Sequence, residues 1–372
     1  MIHIGITGQA GFIGTHLYNF LGLQKDEVIR IPFEDDFFND ESKLQEFVKQ
    51  CDVIVHLAAV NRHNEPQVIY DTNLELIRKL IAAMEKTGSK PHILFSSSTQ
   101  EERDNIFGRS KREGRELLSK WAQENGALFT GMVIPNVFGP FGRPYYNSVV
   151  ATFSHQLTHD EEPMVEVDAQ LKIIYVGDLV KIIYKLIKEK HSEKEFRVAH
   201  TREIKVTEIL ELLKTFKANY YDNGIFPDLD DTFERDMFNT FVCYMPLAEY
   251  FPIKLKQNTD DRGTFVETVK LNSGGQVSFS ITKPGITRGN HFHTRKAERF
   301  AVIKGQARIQ LRRIGTDEVM DFYLDGKEPA YVDMPVWYTH NITNIGEEEL
   351  YTIFWINEFF NPDDPDTFFE KV

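Results

Sequence analysis

Three histidines and one glutamate in the last third of the chain have the spacing of a metal site. His291 and His293 are one residue apart and Glu298 follows, so the pattern is H-x-H-x4-E. Because strand side chains alternate between two faces, we expect both histidines on the same face, with the glutamate on the next strand. His340 follows where a barrel would return a fourth ligand. Such ligands suit Zn, Fe, Mn or Ni, so the four residues predict a metal site.

A glycine-rich turn near the start of the chain is the second group with chemical potential. Gly8, Gly11 and Gly14 lie between an apolar strand (2–7) and a helical stretch. Glycine lets the turn be tight and the backbone approach a pyrophosphate, which the helix N-terminus then faces. We therefore predict a dinucleotide site that includes Gly8, Gln9, Ala10, Gly11, Phe12, Ile13 and Gly14.

The next predicted strand, 26–33, bears on which dinucleotide binds. An acidic residue near its end usually accepts the ribose hydroxyls of NAD, but the charged residue here is Arg30. Because a guanidinium suits a 2′-phosphate, Arg30 predicts NADPH rather than NADH.

Composition limits the partners and the compartment. A chain of 372 residues with 41% hydrophobic and 27% charged residues is long enough for two cores. Its net charge of −13 argues against nucleic acid or an anionic membrane as a partner. The two cysteines make no disulfide framework, and we find neither a signal peptide nor an apolar run of the ~18 residues that would span a bilayer. We expect a soluble, cytoplasmic protein.

The T-G-x2-G-F-I-G turn resembles that of the extended short-chain dehydrogenase/reductase family. The resemblance implies that an H-L-A-A segment passes beneath the cofactor and that a serine, Ser98 before Ser97, binds the substrate carbonyl. It adds four cofactor contacts, at Leu57, Ala58, Ala59 and Pro135. The residues expected to face the substrate in this half are Asn61, Arg62, Asn136, Tyr146 and Asn147.

The family's catalytic motif, Y-G-x-S-K, is present with one change. Lys111 occupies the lysine position, which implies that it holds the nicotinamide ribose, but Phe107 stands where the family has its proton-donating tyrosine. Loss of general acid help typically costs about 10² to 10⁴-fold. Two explanations stay open: an engineered Tyr→Phe change, which the otherwise intact motif favours, or a natural reductase that is weak, inactive or uses a water.

The C-terminal part resembles the cupin family. Its first motif, G-x5-H-x-H-x4-E-x6-G, fits from Gly285 to Gly305, whereas in the second motif Trp337 replaces a glycine. Short strands with frequent turns from residue 246 onward favour an all-β barrel. We expect an α/β Rossmann-like doubly wound domain over 1–245, followed by an all-β cupin (jelly-roll) barrel over 246–372.

The same half also resembles nucleotide-sugar 3,5-epimerases, through D-R-G at 261–263 and G-I-T-R-G-N-H at 285–291. That resemblance implies that Arg288 meets a diphosphate and that His291 is the base. A metal-bound imidazole cannot act as a base, so the two resemblances conflict at His291. We favour the metal pattern because it has four members, which leaves the base unassigned.

The order of both halves is similar to bifunctional enzymes of capsular polysaccharide synthesis that fuse a short-chain reductase to a zinc cupin. The resemblance implies a homodimer that epimerises C3 of UDP-2-acetamido-2,6-dideoxy-4-hexulose and then reduces C4 with NADPH, towards UDP-N-acetyl-L-fucosamine. Two rival hypotheses are a reductase-silent cupin epimerase, because of Phe107, and a non-enzymatic NADP-binding sensor.

Overall fold

The computed structural model describes residues 1–261 and 263–372, so Arg262 of the D-R-G segment lies outside the described residues. The helices are α1 (Phe12–Gly22), α2 (Glu41–Gln50), α3 (Pro66–Thr87), α4 (Ile106–Asn125), α5 (Val149–Thr158), α6 (Val176–Lys188), α7 (Val206–Phe216), α8 (Thr232–Val242) and α9 (Leu247–Tyr250). None of the helices in these two ranges has the length and apolar character needed to cross a membrane.

The strands of the first half alternate with helices, and the later ones mostly follow one another directly. They are β1 (Ile2–Thr7), β2 (Val28–Ile31), β3 (Val53–His56), β4 (His92–Ser98), β5 (Phe129–Ile134), β6 (Asn136–Phe138), β7 (Gln170–Tyr175), β8 (Glu193–Arg197), β9 (Arg202–Lys205), β10 (Ile225–Phe226), β11 (Ile253–Lys254), β12 (Gln257–Asp260), β13 (Gly263–Val266), β14 (Lys270–Leu271), β15 (Gln276–Thr282), β16 (Thr287–Phe292), β17 (Glu298–Lys304), β18 (Gln306–Arg313), β19 (Val319–Asp325), β20 (Ala330–Met334), β21 (Tyr338–Asn344), β22 (Leu350–Ile356) and β23 (Phe368–Phe369).

Contacts divide the chain into two compact units. The first contains Met1–Phe138, Tyr146–Ser148 and Gln170–Ile204, and the second contains Gly139–Tyr145, Val149–Ala169 and Lys205–Val372.

The first unit is built on a six-stranded parallel sheet in the order β2-β1-β3-β4-β5-β8. Helices cover both faces, so apolar side chains are buried on each side, with Phe47 and Leu118 in one layer and Leu17 and Ile183 in the other. The glycine turn and residues 57–62 follow the carboxyl ends of β1 and β3, and Ser98 is the last residue of β4. This is the edge at which open parallel sheets bind ligands. This confirms the predicted doubly wound α/β fold.

The second unit contains two five-stranded sheets, ordered β11-β20-β17-β22-β15 and β19-β18-β21-β16-β23. Their pairings are antiparallel and join strands that are distant in sequence, as in a jelly roll. Buried and exposed positions alternate along several strands, including β18. The all-β barrel predicted for the C-terminal half is confirmed.

Residues 205–245 belong to the second unit, although the boundary predicted at 245/246 assigns them to the first half. A buried ionic cluster contributes contacts between this segment and the barrel. Arg299 on β17 forms two hydrogen bonds with Asp333 on β20, at 2.7 and 2.8 Å. Tyr220 donates its hydroxyl to the same carboxylate at 2.7 Å, and Arg299 also reaches the carbonyl of Gly224 at 3.3 Å. These contacts join the segment to the barrel strands, which local sequence patterns could not reveal.

Candidate functional site

The structure brings the four predicted metal ligands together. His291 lies on β16, His293 directly follows that strand, Glu298 begins β17 and His340 lies on β21. One ligand atom from each lies within 4.8 Å of the others. Because β17 belongs to one sheet and β16 and β21 to the other, the cluster joins the two sheets of the barrel.

Backbone carbonyls hold the histidine rings in place. His293 Nδ1 lies 2.5 Å from the carbonyl oxygen of Asp366, and His340 Nδ1 lies 3.2 Å from that of Tyr338. With Nδ1 donating, each Nε2 is left as an acceptor, the form that binds a metal. Both Nε2 atoms lie 3.2 Å from Glu298 Oε2, so they converge on one point.

The charges in the cluster also fit a divalent cation. Burial and the neighbouring imidazoles lower the pKa of His291 to about 4, so its ring is neutral. Burial alone would raise the pKa of Glu298, but His293 and His340 outweigh it and hold that pKa well below its ordinary value. The result is a neutral His291 imidazole beside an ionised carboxylate, whereas Glu298 outweighs burial and raises the pKa of His293, whose proton an ion would displace. His340 Nε2 is buried 3.2 Å from Glu298 Oε2 and makes no hydrogen bond within the described residues, which fits two atoms that share an ion as ligands.

The backbone conformation at Trp337 explains why the cupin motif has glycine at this position. Its φ angle is 63°, in the left-handed region where a side chain is strained. The backbone is nevertheless fixed there, because Trp337 N donates to His293 O at 2.8 Å. The indole stacks on Phe292 with 5.5 Å between ring centroids. The chain therefore keeps the turn of the motif and stabilises it with an aromatic contact.

The glycine turn has the shape required to bind a pyrophosphate. Gly8 has φ of 71°, and a Cβ there would lie 2.8 Å from Ala58 N, while a Cβ on Gly14 would lie 2.2 Å from Gly8 O. Helix α1 begins after Gly11, whose lack of a side chain leaves the first N–H groups without a side-chain cap. These N–H groups are available to an anionic ligand.

The other residues predicted around the cofactor lie near this turn. Leu57, Ala58 and Ala59 directly follow β3, which ends at His56. The glycine turn and Leu57 are linked by a backbone hydrogen bond of 3.1 Å from Leu57 N to Thr7 O. Gln9, Ala10, Phe12 and Ile13 belong to the turn or the first turn of α1, and Pro135 lies between β5 and β6.

Arg30 does not lie where a 2′-phosphate ligand should. Its guanidinium stacks over the Tyr18 ring at 4.0 Å and donates to Tyr18 O at 2.9 Å. It also lies against Gly22, the last residue of α1, whereas the glycine turn precedes the first residue of that helix. Both contacts lie in the second half of α1. The sequence pattern could not show this, because the strand fixes only the backbone of Arg30.

The catalytic motif forms the first turns of α4. The Asn105 side chain accepts from Gly108 N at 2.7 Å and begins the helix. Phe107 is half-buried, and Lys111 Nζ lies 5.9 Å from its ring centroid and 4.7 Å from that of Phe95. Burial lowers the pKa of the Lys111 ammonium to about 8. The aromatic ring beside this ammonium therefore has no hydroxyl.

The two serines differ in how available they are. Ser97 is buried and donates to Glu101, whereas Ser98 is half-buried and accepts from Gln100 N at 3.2 Å. Ser98 is thus the better placed of the two for a substrate carbonyl. Glu101 also forms a buried ion pair with Arg115, 2.8 Å apart, which sequence analysis missed because no local motif marks it.

Only some of the predicted substrate residues are brought into contact. The Tyr146 hydroxyl donates to the Asn61 side chain, which joins residues 146–148 to the segment after β3 within the first unit. Asn136 is exposed and donates to Lys172 O at 3.3 Å, and Asn147 and Arg62 are also exposed. In the second unit, the exposed Arg288 donates to the Thr282 hydroxyl at 3.0 Å and to Ile281 O at 3.3 Å.

Comparison with known proteins finds a matching family for each half of the chain. Residues 4–199 match the NAD dependent epimerase/dehydratase family, and residues 258–368 match the Polysaccharide biosynthesis C-terminal domain. The chain is 33% identical to the UDP-2-acetamido-2,6-beta-L-arabino-hexul-4-ose reductase of Pseudomonas aeruginosa, over 98% of this chain and 97% of the relative. Spore coat polysaccharide biosynthesis protein SpsL of Bacillus subtilis is 29% identical over 30% of this chain and 82% of its own.

A solved structure aligns with the entire chain. It is the capsular polysaccharide assembling protein CapF from Staphylococcus aureus, with 36% identity, a TM-score of 0.63 and complete coverage of both chains. The resemblance to fused capsular polysaccharide enzymes is confirmed by these matches. This chain therefore belongs to the NAD dependent epimerase/dehydratase family and carries, as its second half, a polysaccharide biosynthesis C-terminal domain.

Proposed function

We propose that the chain is a bifunctional UDP-sugar enzyme. Its barrel epimerises C3 of UDP-2-acetamido-2,6-dideoxy-4-hexulose, and its Rossmann half then reduces the C4 ketone with NADPH, towards UDP-N-acetyl-L-fucosamine. The observation that supports this most is the 33% identity over 98% of the chain to a reductase named for a UDP-4-hexulose. The converging ligand cluster and the retained Lys111 agree with a working site in each half.

The metal proposed for the barrel is zinc, held by His291, His293, Glu298 and His340. These residues, which come from both sheets, would hold a zinc ion, and that ion would supply Lewis acidity. With four protein ligands little room is left for substrate, so we assign it a mainly structural role. The C4 ketone acidifies the C3 proton, whose removal gives an enolate that is reprotonated on the other face. The base remains unassigned, because His291 is a ligand.

In the reductase half, the N–H groups after Gly11 and the backbone around Gly8 hold the pyrophosphate of the cofactor. When bound there, a nicotinamide would supply the hydride that reduces C4. Lys111 binds the nicotinamide ribose, and the Ser98 hydroxyl donates to the carbonyl oxygen that becomes an alkoxide. Phe107 offers no proton, so that oxygen must be protonated by water or by another group. NADPH remains the cofactor predicted from sequence, although the position of Arg30 against Tyr18 does not support it.

A second candidate is a reductase-silent epimerase, and Phe107 beside Lys111 is the observation that favours it. In that case the Rossmann half binds the dinucleotide without turning it over. The third hypothesis, a non-enzymatic NADP sensor, predicts no chemistry at C3 or C4. We further propose a homodimer in the cytoplasm that binds no nucleic acid or membrane, which agrees with the net charge of −13.

One experiment separates these functions. A UDP-4-keto-6-deoxy-N-acetylhexosamine is incubated in D2O with the purified chain, with and without NADPH or NADH, and followed by NMR. The bifunctional proposal expects deuterium at C3 without any nicotinamide and loss of the C4 ketone when one is added. Deuterium entry with a persistent ketone selects the silent reductase. If neither deuterium entry nor loss of the ketone is seen, both enzymatic hypotheses are refuted and the sensor hypothesis remains.

A further inference from the structure

The C-terminal tail lies alongside β16, the strand that contains His291 and directly precedes His293. Within the second unit, β23 pairs antiparallel with β16, so that Phe369 is opposite His291 and Phe368 is opposite Phe292. The tail continues beside β21, where the Thr339 hydroxyl donates to Glu370 O. Residues at the very end of the chain are therefore neighbours of the metal cluster.

Asp366 anchors this tail. It is only 3% exposed, and its carboxylate accepts hydrogen bonds from the backbone N–H groups of Thr294, Arg295 and Lys296 at 3.0 to 3.2 Å. It also accepts from the Thr294 hydroxyl at 2.6 Å. These are charge-assisted bonds to a buried carboxylate, which are stronger than neutral ones. They attach Asp366 to the loop that directly follows His293.

The backbone carbonyl of Asp366 contacts the ring of His293. Its φ of 40° lies in the left-handed region, and its carbonyl oxygen lies 2.5 Å from His293 Nδ1. When Nδ1 donates to that carbonyl, Nε2 carries the lone pair and points to Glu298, 3.2 Å away. Partners of this kind set the tautomer and the ring orientation of a ligating histidine.

The geometry points to Asp366 as a positioning residue for the metal centre: its carboxylate fixes the tail, and its carbonyl orients His293 for the ion. This inference rests on the proposed zinc site. The arrangement is specific to His293, because His340 takes its carbonyl from Tyr338, two residues away on the same strand, whereas Asp366 is 73 residues from His293.

The test measures binding of Zn²⁺ itself by the full-length chain, through competition with a chromophoric chelator. Asp366→Ala should weaken zinc binding by about 10 to 100-fold, the usual effect of losing such a partner. Asp366→Asn keeps an oxygen that accepts from the loop, so it should restore most of the affinity. Asp363→Ala removes an equal charge from an exposed position of the same tail and should leave the affinity unchanged.

A spectroscopic readout distinguishes positioning from general stabilisation. The visible spectrum of bound Co²⁺ reports the ligand geometry, and we expect it to change in Asp366→Ala but not in Asp363→Ala. Equal zinc affinity and an equal Co²⁺ spectrum in a folded Asp366→Ala would overturn the inference, even if its melting temperature fell.

Thr294→Val provides a milder variant in case Asp366→Ala does not fold. It removes the hydrogen bond from the hydroxyl to Asp366 and keeps those from the three backbone N–H groups. We therefore expect zinc binding to be weakened less than in Asp366→Ala. Unchanged zinc binding in Thr294→Val would contradict the inference. If the wild-type chain itself binds no zinc, the proposed metal site fails, and that result is distinct from a wild type that binds zinc without depending on Asp366.

Discussion

Lys111 Nζ lies 5.9 Å from the centroid of the Phe107 ring, one turn earlier on α4. The ammonium is buried and lies near the rings of Phe95 and Phe107. In the family motif a phenol would stand at this position and pass its proton to the substrate. The pair therefore keeps the spacing of the family motif but lacks the tyrosine hydroxyl.

A tyrosine hydroxyl at position 107 should increase the rate of ketone reduction. We expect Phe107→Tyr to raise kcat for the reduction of a UDP-4-keto sugar by about 10² to 10⁴-fold, the typical contribution of a general acid. The measurement is the loss of nicotinamide absorbance. Phe95→Tyr, which places a hydroxyl on the other ring beside Lys111, is the matched control and should bring no gain. An unchanged rate in Phe107→Tyr would show that the proton comes from elsewhere.

The pKa of Lys111 predicts a pH dependence. Burial lowers it from 10.5 to about 8, so the ammonium is lost as the pH rises through that value. We expect kcat/KM of Phe107→Tyr to fall above about pH 8, because the uncharged amine no longer supports the phenol. Lys111→Arg stays charged and should not show this decline. A decline that is identical in the arginine variant would assign it to another group.

The lowered pKa of Lys111 also predicts how the free energy of unfolding depends on pH. The unfolded lysine keeps its proton to about pH 10.4, so between about pH 8 and 10 the unfolded state binds more protons than the folded state. The free energy of unfolding should therefore gain a contribution from Lys111 as the pH rises through this window. Lys111→Met lacks that contribution, and denaturant titrations of both proteins at several pH values measure the difference.

Zinc should stabilise the protein through its four ligands. At a free concentration of 100 times Kd, a ligand that binds only the folded state adds about 2.7 kcal/mol to the free energy of unfolding. We expect added Zn²⁺ to raise Tm of the wild type and EDTA to lower it again. Glu298→Gln should abolish the response, and Glu347→Gln, an exposed carboxylate nearby in sequence to His340, should retain it. A full response in Glu298→Gln would exclude that residue as a ligand.

Trp337 combines backbone strain with a favourable aromatic contact. Trp337→Ala loses the stacking on Phe292 and keeps the strained φ of 63°, so we expect it to cost about 3 to 5 kcal/mol, as for other buried aromatics. Trp337→Gly loses the same ring but relieves the strain, worth about 1 kcal/mol or more. Glycine should therefore be the less destabilising variant in denaturant unfolding. If alanine were tolerated equally well, the strain would be negligible.

The Arg299–Asp333 pair should be essential to the second unit. Asp333→Asn leaves a buried guanidinium without its counter-charge, which typically costs about 3 to 5 kcal/mol. Asp321→Asn disturbs the half-exposed pair of Asp321 with Arg308, 3.9 Å apart, and should cost under about 1 kcal/mol. Denaturant unfolding compares them, and equal small effects would mean that the buried cluster does not hold residues 205–245 to the barrel.

Sequence alone predicted the parts of the sites that depend on local order. The glycine turn was recognised because three glycines between a strand and a helix have one main use. The metal ligands were recognised because strand alternation places His291 and His293 on one face, and Glu298 begins the next strand. The same periodicity predicted a parallel α/β sheet in one half and a β barrel in the other.

Other features depend on contacts between residues that are distant in the chain. Arg30 looked available for a phosphate, yet packing against Tyr18 turns its guanidinium away from the glycine turn. Asp366 lies in a polar tail without any periodic pattern, and only the fold brings it to His293. Local sequence determines which backbone conformations and ligand types are available, whereas the direction of a long side chain and the partner of a buried charge depend on burial, which only the tertiary structure decides.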